Sequence, residues 1–420
     1  MIYNVGKLEG LVMSKYFDIK NKVYDVTEKY PETIDVFVAN GFKPLANEAM
    51  RKTMGKTISL EMALKSKNIN IDQFVQRLVD VIEQNRVSED ESLVKKEKIE
   101  DAEVKIGGLL PCPVRVPLLD AFNKWMDEEG NKLDITVDYE LKAASQGVDW
   151  LKEKIENSQS EEALLDLFIS AGFDLFFDKK LMGKFKQQGT FEDITGFERL
   201  NKDFENENIN LRDPDGQYSI IAVVPAVFLV NTEELNGMDM PKSWKDILKP
   251  EYENKVSLPI GDFDLFNAIL LNIYKAYGEE GIRRLKKSLF VGMHPSEMVK
   301  SHMKQQRPVV TIMPYFFTKM TKQGGPMKAV WPEDGAIISP IFLLTKKSKK
   351  DKLKPFVDFF ASKEVGEILS HNGRFPSTNP EVDNQIPEDK KYMWIGWDYI
   401  NANDIGQLIK LCERIFNETE

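Results

Sequence analysis

Pro308-Val309-Val310-Thr311-Ile312-Met313-Pro314-Tyr315-Phe316-Phe317 is a β-branched apolar run that stops at a proline and passes straight into aromatic residues. Such a run predicts a buried strand. Pro314 cannot donate to a ladder and predicts the strand's end. Tyr315 then stands where the chain turns and a helix begins. In open α/β sheets, ligands bind in the crevice beyond the carboxyl ends of the strands. Tyr315 and Phe316 are therefore candidate ligand contacts, and the expected site is a cleft.

The same reading applies to the neighbouring strands. Glu103–Leu109 is a predicted strand, followed by Leu110-Pro111-Cys112-Pro113-Val114-Arg115. The free backbone N–H groups of such a strand-to-helix turn favour anions. Arg115 adds a planar fork of donors for a carboxylate or oxyanion. Ala144-Ser145-Gln146-Gly147, Asp178-Lys179-Lys180 and Gly261-Asp262-Phe263 occupy the same topological position after the strands at 133–139, 173–178 and 256–259. Cys112, Arg115, Ser145, Gln146, Asp178, Asp262, Phe263, Tyr315 and Phe316 thus make up the candidate rim. Each turn is also readable as a plain cap, and Tyr315 as a core aromatic with its hydroxyl at the surface.

Helical spacing appears at 118–126, 148–155, 161–168, 263–277, 281–289, 296–305, 352–361, 364–370 and 405–415. Alternation of these with strands predicts a mostly parallel sheet covered by helices on both faces. Tyr218–Val230 is a long β-rich run, broken at Pro225, long enough to cross from one lobe to another.

The chain has 420 residues, which predicts two to four domains. Its net charge of −10, with acids and bases interspersed, argues against a nucleic-acid partner, which needs a basic footprint. Lys346-Lys347-Ser348-Lys349-Lys350 reads as the solvated start of a helix rather than as a phosphate site. Cys112 and Cys412 offer no disulfide framework and no zinc spacing. The chain's three histidines, His294, His302 and His371, give no His-based catalytic arrangement. Met293-His294, Met298 and His302-Met303 invite a soft-metal reading, but methionine is also a common gap-filler of cores. No phosphate loop and no cofactor-binding motif are present, so no cofactor is expected. The start lacks a basic segment followed by a long apolar one, and there is no run of about 20 apolar residues. The expectation is a cytoplasmic protein that is not membrane-embedded, or an extracytoplasmic one if the true start lies upstream.

Residues 1–85 read as helical. Val26, Tyr30, Ile34, Phe37 and Val38 recur at helical spacing, Pro31 opens a helix, Gly41 stops one, and Ser59 precedes another. Lys29-Tyr30-Pro31-Glu32, Phe37, Gly41-Phe42-Lys43-Pro44-Leu45 and Arg51-Lys52-Thr53-Met54 resemble a small helical domain of unknown function, DUF1858. It is similar to the N-terminal module of bacterial iron–sulfur repair proteins and of hybrid-cluster-associated proteins. Redox versions carry cysteines in the turn that here reads Gly41-Phe42-Lys43-Pro44. The resemblance therefore implies a docking module rather than a redox one. Residues 86–102 are charge-rich and read as a linker.

From about 103 the chain resembles type 2 extracytoplasmic solute-binding proteins of ABC importers, nearest to the ferric-iron-like branch. The carrying residues are Pro241-Lys242-Ser243-Trp244-Lys245-Asp246-Ile247-Leu248, Trp331-Pro332-Glu333-Asp334-Gly335-Ala336 with Ser339-Pro340, and Phe356-Val357-Asp358-Phe359 with Glu364-Val365-Gly366. The resemblance implies a two-lobe, hinged, periplasmic-binding-protein-like α/β fold with a small all-α N-terminal domain. Lobe 1 is expected at 103–224 and 329–420, and lobe 2 at 225–328. Iron-binding relatives place adjacent tyrosines where this chain reads Tyr315-Phe316, so one phenolate is missing, and ferric iron wants oxygen ligands.

Three functions remain open on these grounds. The first is a non-enzymatic receptor for an oxyanion, metal complex or organic acid, acting as an intracellular carrier or sensor or with an ABC transporter. Its partner would be an ABC permease or a cytoplasmic protein held through residues 1–85. The second is a thiol-dependent redox factor or enzyme using Cys112. The third is an adaptor with a vestigial cleft.

Overall fold

The structure, a computed structural model, describes residues 16–67, 69, 71, 74, 75, 78, 82, 93, 94, 99, 101–143, 149–260, 263–292, 298, 301–303, 307–321 and 324–418. The chain forms two compact units, Met1–Ser92 and Leu93–Glu420.

The first unit holds helices α1 (Val23–Lys29), α2 (Thr33–Ala39), α3 (Glu48–Met50) and α4 (Leu60–Ser66). The apolar residues at helical spacing supply its core: Val26, Tyr30, Phe37, Leu60 and Leu64 are buried with Phe74, Leu78 and Ile82. The Phe37 ring lies 5.2 Å from that of Phe74 and 5.7 Å from that of Phe42. Ser59 caps α4 by accepting the Met62 N–H. Gly41 ends α2 at φ +90, a conformation that costs glycine nothing.

The second unit begins inside the stretch expected to be linker. β1 (Leu93–Val94) pairs antiparallel with β3 (Val137–Ala143). The remaining strands are β2 (Val104–Leu110), β4 (Leu167–Ala171), β5 (Tyr218–Asn231), β6 (Val256–Leu258), β7 (Leu289–Gly292), β8 (Val310–Pro314), β9 (Met327–Val330), β10 (Ala336–Thr345) and β11 (Tyr392–Met393). The helices are α5 (Arg115–Glu128), α6 (Asp149–Asn157), α7 (Asp174–Phe177), α8 (Gly183–Gln187), α9 (Trp244–Ile247), α10 (Phe263–Ser288), α11 (Lys350–Phe360), α12 (Lys363–Glu367), α13 (Trp397–Ala402) and α14 (Ile405–Asn417).

Among the described residues the strand order is β1-β3-β2-β4-β10-β5-β8-β6-β7, with β11 on β10 and β9 on β5. β2 is parallel to β3 and β4, and β6 is parallel to β7 and β8. The mostly parallel sheet expected from the sequence is thus corrected to a mixed one. β10 runs antiparallel to β4 and β5, and β5 antiparallel to β8 and β9. The reason is that β5 and β10 are crossing strands and not βαβ returns. Residues 218–226 of β5 pair with β10, whereas 226–231 pair with β8 and β9, so one strand serves both halves of the sheet. β5 runs unbroken through Pro225, and β10 through Pro340. Each proline removes a ladder donor close to the crossing.

Side-chain alternation in these strands builds two cores. Ile341 and Leu343 join the core that includes Leu118 and Phe122 of α5 and Phe356 of α11, whereas Phe342 and Leu344 join the core that includes Leu265 of α10 and Ile409 of α14. Other expectations shift. Residues 161–168, read as helical, hold a short turn and the start of β4, and 173–178, read as a strand, hold α7. The two helices read at 263–277 and 281–289 form one element kinked at Gly278 (φ +62). α14, placed by sequence in lobe 1, packs on α10, with Phe416 and Phe266 rings 5.2 Å apart.

Candidate functional site

The carboxyl ends of four strands meet two facing segments. β2 ends in the turn Cys112–Val114, and a Cβ on Gly373 would lie 2.5 Å from Val114 Cγ1, so the loop at 371–375 presses on that turn. β8 ends at Pro314, and Tyr315–Met320 form a 3₁₀ segment. The 371–375 loop clamps that segment. The Arg374 guanidinium lies 4.8 Å from the Tyr315 ring centroid, and its Nη1 donates to Thr318 Oγ1 at 2.5 Å. Lys319 Nζ donates to the carbonyls of His371 (2.5 Å) and Asn372 (2.9 Å). Burial and the nearby Arg374 charge pull the Lys319 ammonium below its usual pKa.

β4 is followed by Gly172, whose φ is +85 and whose absent Cβ would fall 2.5 Å from Asp264 Oδ1. Asp264 belongs to the first turn of α10, the helix after β6. Only glycine allows this approach, because any side chain meets both the carboxylate and a left-handed backbone. The 371–375 loop thus joins the ends of β2 and β8, and Gly172 joins the end of β4 to α10, the helix after β6.

The sequence-chosen residues divide as follows. Tyr315 is in the cleft, half-buried under Arg374, with Trp331 edge-on at 5.2 Å. Phe316 packs on the α5–α11 core and stands edge-on to Phe317 at 5.0 Å, so it packs as well as borders the cleft. Arg115 is the first residue of α5 and is 4% exposed. Cys112 opens the turn after β2, and Phe263 opens α10, but their side chains lie outside the description. Ser145, Gln146 and Asp262 lie outside the described residues, as do Met293 and His294.

Asp178 makes contacts within the fold. Its carboxylate accepts the Lys180 N–H at 2.7 Å, lies 2.3 Å from where a Cβ on Gly406 would stand, and pairs with Lys410 at 3.8 Å. It sits at the start of α14, where a negative charge is favoured, and it anchors that helix. Arg374 was missed, because nothing in Asn372-Gly373-Arg374-Phe375 marks it except a turn dipeptide; it holds φ +49. Asp264 was missed because it reads as an ordinary first-turn acid.

Among the described residues no three His, Cys, Asp or Glu side chains converge as a metal site. The one described thiol, Cys412, is buried, and burial pushes it up to about 12, so it stays protonated at neutral pH. Among those residues no helix is long and apolar enough to cross a membrane.

A model of the bacterial extracellular solute-binding proteins matches residues 162–403. The chain belongs to this family. Residues 17–75 match the domain of unknown function DUF1858. The spermidine/putrescine-binding periplasmic protein of Salmonella typhimurium is 20% identical over 302 residues, covering 65% of this chain and 84% of that one. The ferric binding protein from Campylobacter jejuni superposes with a TM-score of 0.53 at 16% identity, over 75% of this chain and 98% of that one. The apo ferric ion-binding protein A of Pasteurella haemolytica gives a TM-score of 0.54 at 13% identity, over 76% and 99%. These structural likenesses fix the fold of the second unit of this solute-binding protein.

Proposed function

We propose that this solute-binding protein is a hinged receptor for a small anion, an oxyanion or the carboxylate of an organic acid. The observation that carries the reading is Arg374. Its guanidinium lies over the Tyr315 ring, 4.8 Å from the centroid, and donates to Thr318. Pinning by an aromatic face pre-organises the fork, so its remaining donors meet an anion at low entropic cost. β5 and β10 supply the hinge, and closure around a ligand is the motion such folds use.

Asp264 favours a second reading. A carboxylate against Gly172 suits an amine, and the Salmonella relative is named for spermidine and putrescine. A thermal-shift screen separates the two, with phosphate, sulfate, citrate, ferric citrate, putrescine and spermidine as probes. A ligand at 100 times its dissociation constant adds about 2.7 kcal/mol. The anion reading expects a shift from an anion that Arg374→Ala removes. A shift from the amines alone, surviving Arg374→Ala and lost in Asp264→Asn, replaces it.

The helical first unit is proposed as the end that docks a protein partner, and an ABC permease as the partner of the cleft-bearing unit. Support for the former is that the first unit has its own core and its turn at 41–44 carries no cysteine.

A further inference from the structure

The chain holds three Asn-Gly pairs, Asn40-Gly41, Asn236-Gly237 and Asn372-Gly373. Such a pair can react with itself. The glycine nitrogen attacks the asparagine Cγ, and a new C–N bond closes a cyclic imide. The bond from Cγ to the side-chain nitrogen breaks, and ammonia leaves with the proton of the glycine N–H. Water then opens the imide at either carbonyl, giving aspartate or isoaspartate. Water is the only other reactant. Glycine favours the attack because it sets no side chain beside the nitrogen and its backbone turns freely. The nitrogen must also be free to leave its place in the fold and swing round to Cγ.

The three pairs differ in that freedom. At the end of α2 the Gly41 N–H donates to the Val38 carbonyl at 3.1 Å, and Asn40 Nδ2 donates to the Val36 carbonyl at 2.7 Å. The Gly373 N–H donates to the Leu369 carbonyl, and Gly373 is buried against Val114 and Phe375. Asn236 and Gly237 are both exposed, and nothing lies within 4 Å of where a Gly237 Cβ would stand. The Gly237 N–H has no hydrogen-bond partner among the described residues. Asn236 at φ +47 and Gly237 at φ +86, with the Met238 N–H on the Leu235 carbonyl at 2.8 Å, form a type I′ turn. That turn holds the glycine nitrogen away from Cγ, so it must open before the attack. One backbone bond closes it, and Asn236 Nδ2 adds a 3.3 Å bond to the Glu234 carbonyl. Opening is cheapest where so few contacts are lost.

We infer that Asn236 is a modification site, converted to aspartate or isoaspartate through attack by the Gly237 nitrogen, and that the fold shields Asn40 and Asn372 from the same reaction. The new carboxylate joins an acidic turn just after β5, where Glu233 and Glu234 face Arg307 at 3.8 and 3.7 Å. Isoaspartate also lengthens the backbone by one methylene between Leu235 and Met238, both of which pack on the larger core.

Peptide mapping by mass spectrometry tests this on the full chain, aged at mildly alkaline pH both native and in urea. The readout at each pair is the mass gain of amide turning to acid, with aspartate and isoaspartate peptides separated by chromatography. In the native chain Asn236 is expected to convert at least about tenfold faster than Asn40 or Asn372, the factor that about 1.4 kcal/mol of extra opening cost produces. In urea, where no fold protects any pair, the three rates converge. Both products appear at 236, because the imide opens at either carbonyl, whereas direct hydrolysis of the side chain gives aspartate alone. Native conversion of Asn236 no faster than at the other two pairs overturns the inference. So does an equal lead for Asn236 in urea, which assigns the rate to local sequence and not to the fold, and so does aspartate without isoaspartate.

Discussion

Lys346 follows the last residue of β10, and its ammonium is among the best-buried charges of the second unit. It donates to Asp166 Oδ1 at 2.7 Å and to the Leu164 carbonyl at 3.0 Å, and both side chains of the pair are 2% exposed. Asp166 also accepts from Lys349 at 2.9 Å and from the Lys105 N–H at 2.8 Å. Removing one partner of such a pair leaves a buried charge uncompensated, which costs about 3–5 kcal/mol. Asp166→Ala is therefore expected to lower unfolding stability by that amount in urea, while the double variant Asp166→Leu/Lys346→Met recovers most of it. A loss under about 1 kcal/mol contradicts this account. The basic run at 346–350 reads as solvated because its partner lies 180 positions away; residues 347, 349 and 350 do meet water or its edge. A second prediction concerns Asp246, which closes a capping box with Ser243 at the start of α9. Burial tends to raise its carboxyl, but hydrogen bonds from Lys249, the Lys242 N–H and Ser243 outweigh burial and hold it at about 2. A depressed carboxyl stabilises the fold above its unfolded value and ceases to as the pH falls through its folded one. Its contribution is thus expected to vanish between about pH 4 and 2. Asp246→Asn should flatten the loss of melting temperature over that window, and an unchanged acid profile contradicts the assignment.

At the scale of elements, α14 decides how the end of the chain is held. Ile405, Leu408, Ile409, Cys412, Ile415 and Phe416 make one buried stripe, and helical periodicity finds it without a structure. What periodicity cannot supply is the partner, since α10 lies more than a hundred positions upstream. Phe416→Ala is expected to cost about 3–5 kcal/mol by leaving a cavity against Phe266; a change below about 1 kcal/mol on denaturant unfolding means the contact is loose. The same limit explains the misread region at 161–178. Leu164, Leu167, Phe168 and Ile169 are all buried, so no amphipathic period separates helix from strand there. Gly172 fixes the actual end of β4. Gly172→Ala forces a left-handed alanine into Asp264, so a lower melting temperature and a weakened ligand response are expected together. Pro314, by contrast, was legible as a strand end, and with it Tyr315.

At the scale of the molecule, the α/β character of the second unit and the helical character of the first were readable because each follows from local composition. The crossing of β5 and β10 was readable only from the length of these runs; their antiparallel pairing was not. The rule of strand ends pointed to Tyr315, whereas the loop at 371–375 that packs on it comes from far along the chain and was not legible. Arg374 and Lys319 tie that loop to the segment after β8 through Tyr315, Thr318 and the 371–372 carbonyls. The most direct measurement is titration calorimetry of the full chain with the anion that gives the largest thermal shift, on the wild type, Arg374→Ala and Arg374→Lys. The account predicts one site per chain, with affinity falling at least about a hundredfold in Arg374→Ala, the 2–5 kcal/mol scale of a truncated charged contact, and only partly restored by lysine, which lacks the planar fork. Wild-type affinity in Arg374→Ala would contradict it.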